Sequence, residues 1–322
     1  MFNQFSNSKI LITGGAGFIG SHLTDKLLSF KAKITVVDNL ITGSKTNLSK
    51  ASKNKDFKFI QADASQPVNN YTQEKFNYIF HFASPASPEG YIDNPIDTYK
   101  INAFGTHYLT EYAQKTKARL IFASTSEVYG DPLQHPQTEE YWGNVNPVGI
   151  RACYDESKRL GETIITTFIR QFPEMDTRII RIFNTYGPRM KLNDRRVIPN
   201  FVTQAINNQP ITVHGQGKQT RSFCYISDLI EYIIRIAVKS EAKNQIINIG
   251  NSQEYTMFAL AKKIKKMTNS SSKIVFTDRP ENDPNKRKPD ISKAIKLLAY
   301  QPQINLQHGL EKTIEYFKDI NI

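Results

Sequence analysis

From its N-terminus the chain alternates short apolar runs of strand length with longer amphipathic stretches. Lys9–Thr13 reads Lys-Ile-Leu-Ile-Thr and Lys33–Asp38 reads Lys-Ile-Thr-Val-Val-Asp, both short enough and apolar enough for buried strands. Between them Phe18, Ile19, Leu23, Leu27 and Leu28 recur at helical spacing. Further strands are expected at 57–63, 78–83, 119–124 and 177–183, and helices over roughly 95–117 and 151–172. Alternation of this kind predicts an α/β fold with a parallel, doubly wound sheet. Beyond Phe183 the pattern loosens into Gly- and Pro-containing loops at 184–193, 213–219 and 278–289, with apolar helices at Val197–Ile206 and 256–267 between them. Residues 227–238 and 246–250 read as a helix and a strand returning to the first sheet. The expected division is one domain of residues 1–183 with 228–250 returning to it, and a smaller interleaved lobe of residues 184–227 and 251–322.

Composition narrows the possible functions. A chain of 322 residues can bury a large core and carry more than one lobe. No stretch approaches the ~18 continuous apolar residues of a membrane span, and residues 1–9 are too polar for a signal peptide, so a cytoplasmic protein without a membrane role is expected. The net charge is +12, but its lysines and arginines are dispersed, as in 44–58 and 262–273. Dispersed basic residues fit solvated faces and an anionic substrate, so no nucleic-acid partner is expected. Two cysteines make no disulfide framework, and the six histidines form no ligand pair, so no metal is expected. Cys153 lacks a recognisable base and reads as a packed thiol.

Two local patterns carry chemistry. Gly14-Gly15-Ala16-Gly17-Phe18-Ile19-Gly20 joins the first strand to the first helix. Glycines there let the backbone approach a pyrophosphate, and the helix N-terminus offers free N–H groups and partial positive charge. Asp38 ends the second strand 18 residues after Gly20, where a carboxylate accepts from ribose hydroxyls and repels a 2′-phosphate. Strand, glycine turn, helix and acid together point to a Rossmann site for NAD rather than NADP. Tyr154 and Lys158 stand at i and i+4, on one face of a helix. A tyrosine with pKa near 10 needs roughly 4 kcal/mol of preferential phenolate stabilisation to serve as a base near pH 7. A cation about 4 Å away, at an effective dielectric of about 20, supplies that much. Ligands in such sheets lie outside the carboxyl ends of the strands, which places Asp63, residues 81–84 and residues 124–127 around one crevice with Tyr154.

These residues resemble the extended short-chain dehydrogenases/reductases that modify nucleotide sugars. The resemblance rests on Gly14-x-x-Gly17-x-x-Gly20, Tyr154-x-x-x-Lys158 and the Ser/Thr before Glu127-Val128-Tyr129-Gly130. Longer segments narrow it to the UDP-glucuronic acid decarboxylase (UDP-xylose synthase) branch: residues 81–88, 124–132, 141–147, 151–156, 181–190 and 287–292, spread over nearly the whole chain. What the resemblance implies is a redox-neutral cycle with bound NAD. Tyr154, aided by Lys158 and Thr125, takes the proton of the sugar 4-hydroxyl, and the 4-ketone then permits loss of carbon dioxide from C5. Ser126 and Glu127 match positions near the sugar carboxylate, Glu127 in a proton-handling or positioning role. Family position also assigns Phe18, Ile19, Asn39, Gly43, Asp63, Ala64, Phe82, Ser84 and Lys100 to the cofactor, and Tyr91, Asn184, Arg196, Gln219, Arg221 and Arg287 to the substrate. Arg221 and Arg287 are the first candidates for the diphosphate, because guanidinium forks match phosphate oxygens. The family also implies a homodimer through the helices at 95–117 and 151–172.

Departures from the pattern bear on the substrate. Glu89-Gly90 stands where the family has Pro-Asn, Ile150 where it has Pro, Ser157 where it has Gly, and Arg195 where Gly precedes Arg196. None removes a reacting group, but Glu89 and Arg195 leave a modified UDP-uronic acid, such as an N-acetylated one, as an alternative. A 4-epimerase is a second alternative, since it shares the first step. A 4,6-dehydratase is a third, although those enzymes carry Asp where Ser126 stands, and serine is too weak an acid to expel a hydroxyl. A non-catalytic nucleotide-sugar sensor is disfavoured by the intact Tyr154, Lys158, Thr125 and Glu127.

Overall fold

Successive strand residues leave opposite faces of a sheet, and the first apolar run fills both. Ile10 and Ile12 are buried with Leu23, Leu27 and Ile233, whereas Leu11 is buried with Ile79, Leu120 and Ile165. A sheet covered on both faces follows. The computed structural model describes residues 2–192, 194–279 and 286–320. Its elements run β1 (Lys9–Thr13), α1 (Phe18–Ser29), β2 (Lys33–Asp38), β3 (Phe57–Gln61), β4 (Tyr78–His81), α2 (Pro88–Asp93), α3 (Pro95–Lys100), α4 (Thr106–Thr116), β5 (Arg119–Thr125), α5 (Ala152–Gln171) and β6 (Thr177–Ile182). They continue with β7 (Thr185–Tyr186), α6 (Val197–Ile206), β8 (Ile211–His214), β9 (Thr220–Ser222), β10 (Cys224–Tyr225), α7 (Ile226–Val238) and β11 (Gln245–Ile249). The last are β12 (Glu254–Thr256), α8 (Met257–Met267), β13 (Ile274–Thr277), β14 (Lys286–Arg287), α9 (Ser292–Leu298) and α10 (Leu306–Asp319).

Among the described residues the main sheet has seven strands in the order β11-β6-β5-β4-β1-β2-β3, every pairing parallel. Strand order reverses between β1 and β4, so the ligand crevice opens over the carboxyl ends of those two strands. The second lobe is built around β9, which pairs antiparallel with β12 and parallel with β14. In that register Arg287 lies beside Arg221. The expected doubly wound sheet with a smaller interleaved lobe is therefore the fold.

Two local expectations change. The helix expected over 95–117 is two helices, α3 and α4, joined by a wider π turn at Ile101–Gly105. Gly105 passes the Ala64 carbonyl so closely that a Cβ would sit 2.9 Å from its oxygen. Strands β3 and β4 stop at Gln61 and His81, two residues short of the expected ends. Asp63 instead accepts from the Ser65 amide (2.9 Å) and hydroxyl (2.7 Å), turning the chain away from the sheet. The loop expected at 278–289 lies partly outside the described residues, as does residue 193 of the loop at 184–193. No helix among the described residues is long and apolar enough to cross a membrane.

Candidate active site

The glycine turn after β1 is made by close backbone approach. Gly14 has φ +74°, and a Cβ there would lie 2.5 Å from the Ala83 amide nitrogen; one at Gly20 would lie 2.2 Å from the Gly14 carbonyl oxygen. Helix α1 starts behind Gly17 with no side-chain cap, leaving its first amides for a ligand. At the end of β2 the Asp38 carboxylate accepts from the amides of Ala16 (3.0 Å) and Leu40 (2.8 Å). Burial raises its pKa against those two bonds. The Ser84 hydroxyl is buried without a partner on the same wall. These groups line one end of a cleft of about 1270 Å3, which suits a ligand larger than a single nucleotide.

The other end gathers the side chains expected to react. Strand β5 delivers Thr125, and the turn after it delivers Ser126 and Glu127; the Thr125 hydroxyl accepts from the Glu127 amide at 3.2 Å. Helix α5 supplies Tyr154 and Lys158, both buried. Tyr154 hydrogen-bonds Thr125 and stacks on Tyr91 of α2 with ring centroids 5.1 Å apart and planes 8° from parallel. The Lys158 ammonium donates to the Ala123 carbonyl at 2.7 Å and lies 6.0 Å from the centre of the Tyr154 ring.

Here the electrostatics depart from the expectation that a nearby cation lowers the phenol's pKa. Burial raises the Tyr154 pKa above its ordinary value despite the Thr125 bond, and Glu127 and Asp155 raise it further. Burial also brings the Lys158 ammonium down to about 7, with Glu162 one turn on as the opposing influence. The physical reason is shared desolvation: in a dry pocket, charging either member alone is costly.

Glu127 is the most heavily paired acid of the site. Arg287 holds it bidentately, Nη1 to Oε1 at 2.6 Å and Nη2 to Oε2 at 2.8 Å, and Arg151 pairs with Oε2 as well. Arg151, Arg287 and Arg221 together hold its carboxyl below the usual range even though burial opposes this. Arg287, expected at the diphosphate, is thus engaged with Glu127. Arg196 pairs with Asp194 and lies 5.9 Å over the Phe18 ring, close enough to Tyr154 to favour its ionisation.

Nearly all the residues expected from sequence line this one cleft: Gly14, Gly17, Phe18, Ile19, Gly20, Asp38, Asn39, Gly43, Asp63, Ala64, Phe82, Ser84, Tyr91, Thr125, Ser126, Glu127, Tyr154, Lys158, Asn184, Arg196, Gln219, Arg221 and Arg287. Lys100, the last residue of α3, is not among the lining residues. Of the four departures, Glu89-Gly90, Ile150 and Arg195 line the cleft, whereas Ser157 is buried away from it and takes a bond from Asn102 at 3.0 Å. Sequence reasoning missed Arg151, which lines the cleft, and Asp155, which pairs with it from outside the lining. Their i, i+4 spacing at the start of a helix, with Tyr154 between them, was the available signal.

Comparison with known proteins identifies the family. A family model described as the NAD dependent epimerase/dehydratase family matches residues 10–250. UDP-glucuronic acid decarboxylase 1 of Xenopus tropicalis is 47% identical over 316 residues, covering 98% of this chain and 73% of that one. UDP-glucuronic acid decarboxylase 6 of Arabidopsis thaliana is 47% identical over 314 residues, covering 97% and 90%. Among solved structures, an epimerase from Methanothermobacter thermautotrophicus superposes with TM-score 0.90 at 29% identity, covering 99% of this chain and 94% of that one. UDP-glucuronic acid 4-epimerase from Bacillus cereus, in complex with UDP-glucuronic acid and NAD, gives TM-score 0.85 at 27% identity, covering 97% and 99%.

Proposed function

The chain belongs to the NAD dependent epimerase/dehydratase family, and from that premise we propose that it is the enzyme that decarboxylates UDP-glucuronate to UDP-xylose. One observation carries the choice within the family: 47% identity to UDP-glucuronic acid decarboxylases over 98% of the chain, against 27% to the UDP-glucuronic acid 4-epimerase. NAD fits the residues present. Gly14 and Gly20 leave space that a Cβ would close, the amides at the start of α1 are uncapped, and the Ser84 hydroxyl is an unpaired buried group. Asp38 at the ribose position opposes a 2′-phosphate. Bound NAD supplies a reversible hydride acceptor at sugar C4, so oxidation there is undone before product leaves.

The chain's own residues do the rest. Tyr154 takes the proton of the 4-hydroxyl as that carbon is oxidised, and returns it at the end. The phenol proton first passes to the neutral Lys158 amine, so phenolate and ammonium form together rather than singly, and the phenolate is then free to take the sugar proton. Thr125 holds the phenol in place. Once C4 is a ketone, the C5 carboxylate is β to it. The bond to the carboxyl carbon breaks, carbon dioxide leaves, and the electron pair moves onto the ketone oxygen as an enolate. C5 then takes one proton. Glu127, kept ionised by Arg287 and Arg151, positions the donor of that proton, and Ser126 bonds the departing carboxylate end. Holding these groups in place before reaction is the protein's main contribution. Arg221 and Arg196 serve the diphosphate, and the lobe of residues 184–227 and 251–322 carries recognition of the UDP-sugar.

The exposed apolar residues Ile96, Tyr99, Phe104 and Leu160, on α3, the turn after it and α5, support pairing of two copies into a homodimer. A second substrate reading, a modified UDP-uronic acid, is favoured by Glu89 and Arg195 in the cleft wall. Incubating the NAD-loaded protein with UDP-glucuronate and with its N-acetylated counterpart, and following carbon dioxide and sugar product, separates the two.

A further inference from the structure

Arg151 stands between two carboxylates. It pairs with Glu127, and its Nε lies 3.6 Å from Oδ2 of Asp155, one turn further along the helix. Glu127 has Arg287 on both of its oxygens. Among the described residues, Arg151 is the cation within ion-pair distance of Asp155, whose Oδ1 is buried with no hydrogen-bond partner. Asp155 is only 6% exposed and does not line the cleft. A carboxylate so buried requires either a proton or a committed partner.

The groups facing Asp155 come from four elements: Glu127 from the turn after β5, Arg287 from β14, Tyr91 from α2, and Arg151, Cys153 and Tyr154 beside it on the chain. Burial and the negative charge of Glu127 push its carboxyl up to about 7, against Arg151 and Arg287. We infer that Asp155 is a positioning residue that competes with Glu127 for the Arg151 guanidinium and so sets how firmly Glu127 is held during protonation at C5. With a proton on Asp155, Arg151 is committed to Glu127. When that proton leaves to solvent, the guanidinium is shared between the two carboxylates and Glu127 is held less firmly. The inference rests on the decarboxylase reading, and it adds a residue that touches neither sugar nor cofactor.

The test uses NAD-loaded protein and UDP-glucuronate, with kcat measured from about pH 5.5 to 9 for the natural protein, Asp155→Asn and Asp155→Glu. The natural protein is expected to show two ionisations near neutrality, those of Asp155 and Lys158. Asp155→Asn is expected to lose one of them while KM changes less than about twofold, and Asp155→Glu to keep both with one displaced by about half a pH unit or more. A variant profile that superposes on the natural one, or a single ionisation near neutrality in the natural protein, overturns the inference. Carboxyl 13C NMR of the aspartate-labelled, NAD-loaded protein reads the same group without turnover. One resonance is expected to titrate near neutrality and to vanish in Asp155→Asn, and its absence from the natural protein also overturns the inference. Failure of the natural protein to release carbon dioxide at any pH, with that resonance present, defeats the decarboxylase reading instead.

Discussion

Lys158 gives its short hydrogen bond to a backbone carbonyl and not to the tyrosine one turn before it: Nζ is 2.7 Å from the Ala123 oxygen and 6.0 Å from the centre of the Tyr154 ring. In the proposed mechanism the lysine acts on the phenol by charge and not by a direct bond, and the phenol's direct partner is Thr125. Tyr154→Phe removes the proton acceptor but keeps the ring that stacks on Tyr91. Its kcat is expected to fall by at least ~10²-fold, the usual scale for loss of a general base, while the amount of NAD retained on purification stays unchanged. Near-normal turnover would rule Tyr154 out as the base.

Lys158 itself is held at a cost in stability. Its folded pKa of about 7 lies below the ordinary 10.5, so between those values the unfolded chain binds a proton that the folded chain does not. Stability from this group accordingly rises with pH across that window and is poorest below pH 7. Lys158→Met fills the same space without a charge. Its thermal midpoint is expected to exceed that of the natural protein by roughly 3 °C or more at pH 6, since about 1 kcal/mol moves the midpoint of a chain this size by a few degrees. The gain should shrink toward pH 10, and activity should be lost throughout. A midpoint difference independent of pH would contradict the assigned burial of the ammonium.

Arg287 reaches Glu127 with both terminal nitrogens, a geometry that a lysine cannot reproduce. Arg287→Lys keeps the charge and loses the fork. Its kcat/KM is expected to drop by about 10- to 100-fold, a loss of about 1.4–2.7 kcal/mol of transition-state stabilisation. Equal loss in kcat and kcat/KM places the contact with the reacting sugar. A change confined to KM would return Arg287 to simple diphosphate binding.

Phe104 is 51% exposed on the turn between α3 and α4. In a homodimer formed through that face, Phe104→Lys buries an unpaired charge against an apolar partner. Sedimentation of the variant is expected to give monomer where the natural protein gives dimer. A natural protein that sediments as a monomer would remove this face from the proposal.

Much of this site was readable because it is local in sequence. The glycine turn lies within seven residues, Asp38 ends the next strand, and Tyr154 and Lys158 share one helix face. The arginine clamp was not readable in the same way. Arg151 stands 24 positions from Glu127 and reaches it from the start of α5, whereas Arg287, 160 positions away, reaches it from β14, which pairs beside β9. β14 has two described residues, too few to show a period. The divided helix at 95–117 was hidden for another reason: at its break Gly105 packs against the Ala64 carbonyl of a different segment, a contact that no local pattern records. Charge state was the least legible property. Tyr154-x-x-x-Lys158 implies a phenolate aided by a cation, yet depth of burial sets both pKa directions, and burial belongs to the packed fold.

The central claim is tested most directly by giving the NAD-loaded protein UDP-glucuronate in deuterated water and analysing gas and sugar together. Decarboxylation predicts carbon dioxide in a 1:1 ratio with UDP-xylose that carries one solvent deuterium at C5 and none at C4. UDP-galacturonate with no carbon dioxide, or a 4-keto-sugar that retains its carboxylate, would contradict it.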